Sequence, residues 1–150
     1  MISQTRTARQ GTPFLVPILN PVIKGLLHLR IPMGPMALLT VEGRKTGKKH
    51  ATPIAVLKLD EKQYLVSVYG LSGWVRNLRA TRNAGIIQGW HSRKVEVVEL
   101  NDADAAPVLK HAVSISPSFL RKYFKPNTAE SSLGDFEKDA YNHPVFLLKE

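Results

Sequence analysis

Four cations, Arg44, Lys45, Lys48 and Lys49, stand on a turn bracketed by Gly43 and Gly47 and followed by His50, Ala51, Thr52 and Pro53. Such a cluster can surround an anion, because arginine offers phosphate or carboxylate oxygens a planar fork and lysine a compact charge. Glycine admits backbone conformations closed to other residues, so main-chain N–H groups can also approach a ligand here. The turn reads as an anion site; by composition alone it reads equally as a solvated hairpin, since Gly and Lys are ordinary turn residues.

A second constellation lies downstream, where Ser67-Val68-Tyr69-Gly70-Leu71-Ser72-Gly73 runs into Trp74-Val75-Arg76-Asn77-Leu78-Arg79. Small residues and glycines ahead of a helix would let backbone donors and a planar ligand come close. Trp74 and Leu78 lie one helical turn apart and suit a core, while Arg76 and Arg79 at i, i+3 suit a solvated face. Asn77 is the exception. A side-chain amide one turn into a helix is poorly explained by propensity, and its expected task is to pin the preceding glycine loop through backbone groups.

Composition excludes several other chemistries. The chain has no cysteine, which removes disulfides, thiolate metal ligands and a cysteine nucleophile. His28, His50, His91, His111 and His143 are spaced too irregularly to suggest one metal site, and no Ser-His-Asp ordering stands out. Each histidine is expected to be a surface or hydrogen-bonded residue. Lys and Arg outnumber Asp and Glu by 21 to 12, and a formal net charge of +9 attracts nucleic acid, anionic lipid or a polyacidic cofactor alike. A length of 150 residues suits one domain with its own core.

The elements that must position these residues are legible in outline. Ala37 to Glu42 reads as a strand ending at the basic turn, Pro53 to Leu59 as the next, and Gln63 to Val68 as a third in which Tyr64, Val66 and Val68 share a face. Asp60-Glu61-Lys62 is a tight connection, and the three strands are expected to form an antiparallel meander. Ser72 can cap a helix through Ala80; strands at Ala84 to Trp90 and Lys94 to Leu100 follow, joined around His91-Ser92-Arg93. Asn101 can cap a helix to about Val113, whose regular start Pro107 would delay. Ser116 can cap a short piece to about Phe124, with Pro117 at its first position. Ser132 and Asp135 have capping-box spacing ahead of a last helix, before a Pro144 to Leu148 strand. Five or six strands with peripheral helices indicate a small α+β barrel.

The N-terminal stretch Phe14 to Ile31 is apolar but interrupted by Pro17, Asn20, Pro21, Lys24, His28 and Arg30, which argues against a signal peptide or a membrane span. The spacing predicts an amphipathic helix over about 20–30, capped by Asn20 with Pro21 at its first position. That helix either covers one end of the core or lies on an anionic membrane surface. The compartment expected is a reducing cytoplasm, with peripheral membrane contact as the second expectation.

Gly43-Arg44-Lys45-Thr46-Gly47 with Thr52-Pro53, the Ser67-to-Gly70 loop and Trp74-Val75-Arg76-Asn77-Leu78-Arg79 closely resemble the deazaflavin-dependent nitroreductase family, also called F420H2-dependent quinone reductases. The motif-level resemblance runs from about Leu38 to Arg79 and extends loosely through Asn20-Pro21, Pro32-Met33-Gly34-Pro35 and His143-Pro144-Val145-Phe146. It implies a split β-barrel of the FMN-binding kind, with coenzyme F420 in a groove and FMN as the alternative ligand. Arg44, Lys45 and Thr46 would contact the phosphate and polyglutamate tail, with Lys48, Lys49 and His50 as neighbours. Thr52, Pro53 and Ala55 would line the groove, Ser67, Val68, Tyr69 and Gly70 would flank the deazaflavin ring, and Trp74 and Asn77 would shape that wall. His50 stands where relatives usually have arginine and Val68 where proline is common. The resemblance thus implies pH-sensitive phosphate affinity and a less rigid ring loop. Tyr123 and Tyr141 are the candidates to approach the substrate.

The activity implied is hydride transfer from reduced F420 to a quinone, nitroaromatic or activated alkene, by a monomer or homodimer. Two further readings differ in class. One is a non-catalytic carrier of F420 or a flavin; the other, from charge alone, is a nucleic-acid-binding domain, which should interleave aromatics with Lys and Arg on one sheet face.

Overall fold

The computed structural model describes residues 36–150, and the expected helix over 20–30 and its membrane-surface reading lie outside them. In chain order the elements are β1 (Met36–Glu42), β2 (Lys49–Ala55), β3 (Leu57–Leu59), β4 (Lys62–Val66), α1 (Gly73–Thr81), β5 (Asn83–Gln88) and β6 (His91–Glu99). They continue with α2 (Asp102–Ile115), α3 (Ser118–Arg121), a 3-10 turn at Lys122–Phe124, α4 (Leu133–Asp139), a 3-10 turn at Ala140–Asn142 and β7 (Val145–Lys149). The strands belong to a seven-stranded sheet in the order β2-β1-β5-β6-β7-β4-β3. Two compact units divide the described chain, one taking residues 36–56, 73–98 and 148–150 and the other 57–72 and 99–147.

In the first unit β1 is central, paired antiparallel with β2 from Met36↔Ala55 to Glu42↔Lys49 and with β5 from Leu38↔Ile87 to Thr40↔Gly85. Ala37, Leu38 and Leu39 are all fully buried. Successive strand residues face opposite sides, so both faces of β1 are covered, and a continuous apolar run is what such a strand requires. Helix α1 turns Val75, Asn77 and Leu78 inward. The core residue beside Leu78 is therefore Val75, and Trp74, expected in the core, is only half-buried. The helix ends at Arg82, whose φ is +59° and whose N–H donates to the Leu78 carbonyl at 2.7 Å, a left-handed cap made without glycine.

In the second unit β3 pairs with β4 and β4 with β7, all antiparallel. The core gathers Leu57, Tyr64, Leu109, Val113, Phe124 and Phe136, with Val66 and Val68 packed against it, so the expected shared face of Tyr64, Val66 and Val68 is present. Asn101 caps α2, its Oδ1 accepting from Asp104 N at 2.7 Å, and the Ser132–Asp135 capping box opens α4.

Several expectations are corrected. The first three strands are not a meander, because β2 pairs with β1 whereas β3 pairs with β4; the single strand read over Pro53 to Leu59 is two, broken at Val56, and β2 begins as early as Lys49. The β5–β6 connection lies at Gly89-Trp90, with Gln88 opposite His91, so His91, Ser92 and Arg93 belong to β6. Gly89 holds φ +58°, which makes a two-residue turn possible, and Trp90 stands 79% exposed at its tip. Helix α2 runs regularly through Pro107 from Asp102, because the Asn101 cap and buried Ala105 and Ala106 secure the turn before it. Ser116 closes α2 rather than opening α3: its Oγ donates to the Ala112 carbonyl at 2.6 Å, and Pro117 is the α3 cap.

Candidate functional site

The basic turn is closed by its own main chain. Gly43 N donates to the Lys48 carbonyl at 2.7 Å and Gly47 N to the Gly43 carbonyl at 2.9 Å, while Lys48 N reaches Thr46 Oγ1 at 3.3 Å. The two glycines serve different ends. Gly47 has φ +74°, a conformation that disfavours side chains, with open space where a Cβ would stand. A Cβ on Gly43 would stand 2.8 Å from His50 Nε2 and 3.3 Å from the Lys48 carbonyl oxygen, so a side chain there would have to displace the exposed imidazole that lies over it.

Arg44 is fixed from α1. Asn77, 6% exposed, accepts at Oδ1 from Arg44 N at 3.1 Å and from Arg44 Nη1 at 2.8 Å. Asn77 was expected to pin the glycine loop before its own helix; it pins the basic turn instead. Arg44, Lys45, Thr46, Lys48, Lys49 and His50 are all exposed, and no acidic residue occurs between Glu42 and Asp60. This donor set fits a multiply charged anion such as a phosphate with a carboxylate tail. Lys49 lies opposite Glu42 in the ladder, which offsets part of its charge. The pleat divides the candidate groove residues: Thr52 shares a face with His50, while Pro53 and Ala55 take the other. Gly73 opens α1 with half-buried Trp74 next to it, and a Cβ on Gly73 would meet nothing within 4 Å.

In the second unit the Ser67–Gly70 loop is tightly tied. Ser67, 1% exposed, donates from its Oγ to the Gly70 carbonyl and from its N to the Pro144 carbonyl at 2.9 Å, and Gly70 holds φ +83°. Val68, where rigidity was expected to be lost, packs against the core. Tyr69 meets Tyr123 edge to face with centroids 4.9 Å apart. Burial, with Tyr123 adding to it, pushes the Tyr69 phenol up, so it stays protonated and able to donate at neutral pH. Tyr123 is thereby brought to the loop, whereas Tyr141 is an exposed residue of the last 3-10 turn.

His143 is the residue whose place sequence reasoning did not foresee. Its ring is 1% exposed, with Nδ1 3.1 Å from the Ser67 carbonyl oxygen, Nε2 3.6 Å from Asp139 Oδ2 and Phe124 4.6 Å away between centroids. Burial holds the imidazole below its ordinary pKa, against the opposing Asp139 carboxylate and the carbonyls of Ser67, Val68 and Tyr123. The signal available was the His143-Pro144 pair ahead of an apolar strand, but the sequence separation from Ser67 hid the contact.

Among the described residues no three His, Asp or Glu gather as a metal site, and no helix is long and apolar enough to cross a membrane.

Comparison with known proteins adds to this geometry. Residues 23–128 match the family described as F420H(2)-dependent quinone reductase. No curated protein matches the chain. Among solved structures, one described as a domain-swapped dimer has a TM-score of 0.55 at 21% identity, covering 77% of this chain and 80% of that one. An F420-H2 dependent reductase (FDR-A) has a TM-score of 0.54 at 20% identity, covering 77% and 94%. A pyridoxamine 5'-phosphate oxidase-related, FMN-binding protein from Nostoc punctiforme has 0.54 at 12% identity, covering 87% and 79%. At these identities the likeness is one of fold, and it bears out the expected α+β split β-barrel.

Proposed function

Because the chain belongs to the F420H(2)-dependent quinone reductase family, and so is an oxidoreductase that uses coenzyme F420, we propose that its basic turn is the clamp for the cofactor's phosphate and polyglutamate tail. The observation that carries this reading is the pair of hydrogen bonds that Arg44 donates to Asn77 Oδ1, which hold one cation of an exposed, acid-free turn in a set position. A guanidinium fixed before the ligand arrives loses less freedom on binding than a mobile one. Lys45, Lys48 and Thr46 supply further donors, and His50, above Gly43, adds an imidazole to the same turn. In this reading the Ser67–Gly70 loop, with Tyr69 and Tyr123, flanks the ring and the electron acceptor.

Bound F420H2 supplies a hydride. The chain's residues bind and orient. The turn holds the tail, the loop presents a wall to the ring, and the protonated Tyr69 hydroxyl can donate to negative charge developing on the acceptor. The acceptor we propose is a quinone, with nitroaromatics and activated alkenes as weaker alternatives, since a quinone oxygen is a ready recipient of such a hydrogen bond. Family membership favours the reductase reading over the nucleic-acid and non-catalytic carrier readings.

A fluorescence titration with F420 tests the clamp. Arg44→Ala with Lys45→Ala is expected to weaken binding at least tenfold, about 1.4 kcal/mol, with the fold intact by circular dichroism. Unchanged affinity would remove the turn from the site. Oxidation of F420H2 with menadione, a nitroaromatic and an enone in parallel ranks the acceptors.

A further inference from the structure

Ser67 is held through both of its main-chain groups by the dipeptide His143-Pro144. Its N–H donates to the Pro144 carbonyl at 2.9 Å, and its carbonyl lies 3.1 Å from His143 Nδ1. A carbonyl only accepts, so the Nδ1 of His143 carries a proton. On the far side of the ring Asp139 Oδ2 lies 3.6 Å from Nε2, beyond hydrogen-bond distance, and the other oxygen of that carboxylate accepts from Asn142 Nδ2 at 2.6 Å. Phe124 lies against the ring at 4.6 Å. Beyond Ser67 the loop is tied at the Gly70 carbonyl, which accepts from Ser67 Oγ and from Ser72 N at 3.0 Å, so the path of Val68, Tyr69 and Gly70 is referred back to Ser67.

An imidazole buried to 1% exposure carries a desolvation cost that a leucine in the same space would not. What the imidazole adds is a hydrogen-bond donor among the facing main-chain carbonyls of Ser67, Val68 and Tyr123, with the Ser67 carbonyl 3.1 Å from Nδ1. We propose that His143 is a positioning residue for the reduction: its Nδ1–H fixes the Ser67 carbonyl and thereby the course of the loop that flanks the deazaflavin ring. This rests on the cofactor reading above, which assigns the ring to that loop. The affinity for F420 resides mainly in the tail clamp, so His143 acts on the rate at saturation more than on binding.

Two amide variants of the full-length protein separate positioning from packing. In His143→Asn the side-chain N–H takes the place of Nδ1 and keeps the Ser67 bond; in His143→Gln it takes the place of Nε2 and leaves the Ser67 carbonyl without its donor. Three measurements are compared: amide hydrogen exchange across residues 68–72 in the ligand-free protein, F420 affinity by fluorescence, and steady-state oxidation of F420H2 with menadione. His143→Gln is expected to speed loop exchange and to lower kcat by about tenfold, the worth of a lost buried hydrogen bond. Its F420 affinity should stay within about threefold of the wild type, since most of that affinity comes from the clamp. His143→Asn should restore both exchange protection and kcat.

Equal impairment in the two variants would mark the ring as a packing element and overturn the proposal, as would wild-type exchange and kcat in His143→Gln. Failure of the underlying cofactor reading looks different: the loop exchanges faster in His143→Gln, yet neither kcat nor F420 affinity responds in either variant, and the proposal falls with that reading.

Discussion

Asn77 stands one turn into α1, where asparagine is a poor helix former, and its Oδ1 accepts from both the main chain and the guanidinium of Arg44. Asn77→Ala removes a buried acceptor and frees the arginine, so it should lower stability by about 1–3 kcal/mol and weaken F420 binding severalfold. Asn77→Asp keeps the acceptor but sets a carboxylate against Arg44, so it should recover stability while affinity for the anionic tail stays low; thermal melts and F420 titrations of the two variants measure the difference. His143 bears on pH. Burial holds its folded pKa below the ordinary 6.5 despite the Asp139 carboxylate and the facing carbonyls of Ser67, Val68 and Tyr123. The unfolded chain therefore binds the proton more readily than the folded one. The stability this group contributes is complete above about pH 6.5 and is lost as pH falls through the lower folded value. Melting temperatures between pH 7.5 and 5.5 should drop more steeply in the wild type than in His143→Gln; parallel slopes would assign the acid sensitivity to other groups.

At the scale of elements, turns carry the strain. The two-residue connection between β3 and β4 places Asp60 at φ +52° and Glu61 at φ +67°, with Leu59 opposite Lys62. Both residues thus occupy the left-handed region that an Asp-Gly hairpin would occupy without penalty. Glu61→Gly should stabilise the protein by about 1 kcal/mol, the cost of left-handed backbone relieved less the added freedom of the unfolded glycine. Chemical denaturation reads this directly, and a loss of stability would mean that the glutamate makes up for its backbone elsewhere. Strands were easier to read than their partners. An apolar run at Ala37 to Val41 identifies a strand whatever lies beside it, but no local pattern says that β1 sits between β2 and β5, because that pairing is decided by which ladders are satisfied at once. The Gly89-Trp90 turn was missed because an exposed tryptophan looks like a strand residue; Gly89 alone signals the reversal.

Over the whole molecule the positive charge is the dominant long-range property. With a net +9, an anionic cofactor is attracted from beyond contact distance, and exposed cations are screened as salt rises, the Debye length shrinking from about 10 Å at 0.1 M to about 3 Å at 1 M. F420 affinity should therefore fall steadily with added sodium chloride. In Arg44→Ala with Lys45→Ala the dependence should be shallower, because fewer charges in contact are left to screen. Equal salt slopes in wild type and variant would place the tail elsewhere on the basic surface. The nucleic-acid reading is weaker at this scale too, since the exposed aromatics among the described residues, Trp90, Phe119 and Tyr141, lie at three separate places along the chain.

The sequence by itself determined which groups the candidate site has to offer: a glycine-bracketed basic turn and a glycine loop ahead of a tryptophan helix, like the capping signals at Asn101 and Ser132, are local patterns, set by residue type and spacing within a few positions. Only the tertiary structure decided which distant groups meet. Asn77 reaches Arg44 across 33 residues and His143 reaches Ser67 across 76. Those contacts depend on how strands pair and helices pack, which arises from satisfying every buried hydrogen bond and apolar face together rather than from any segment alone.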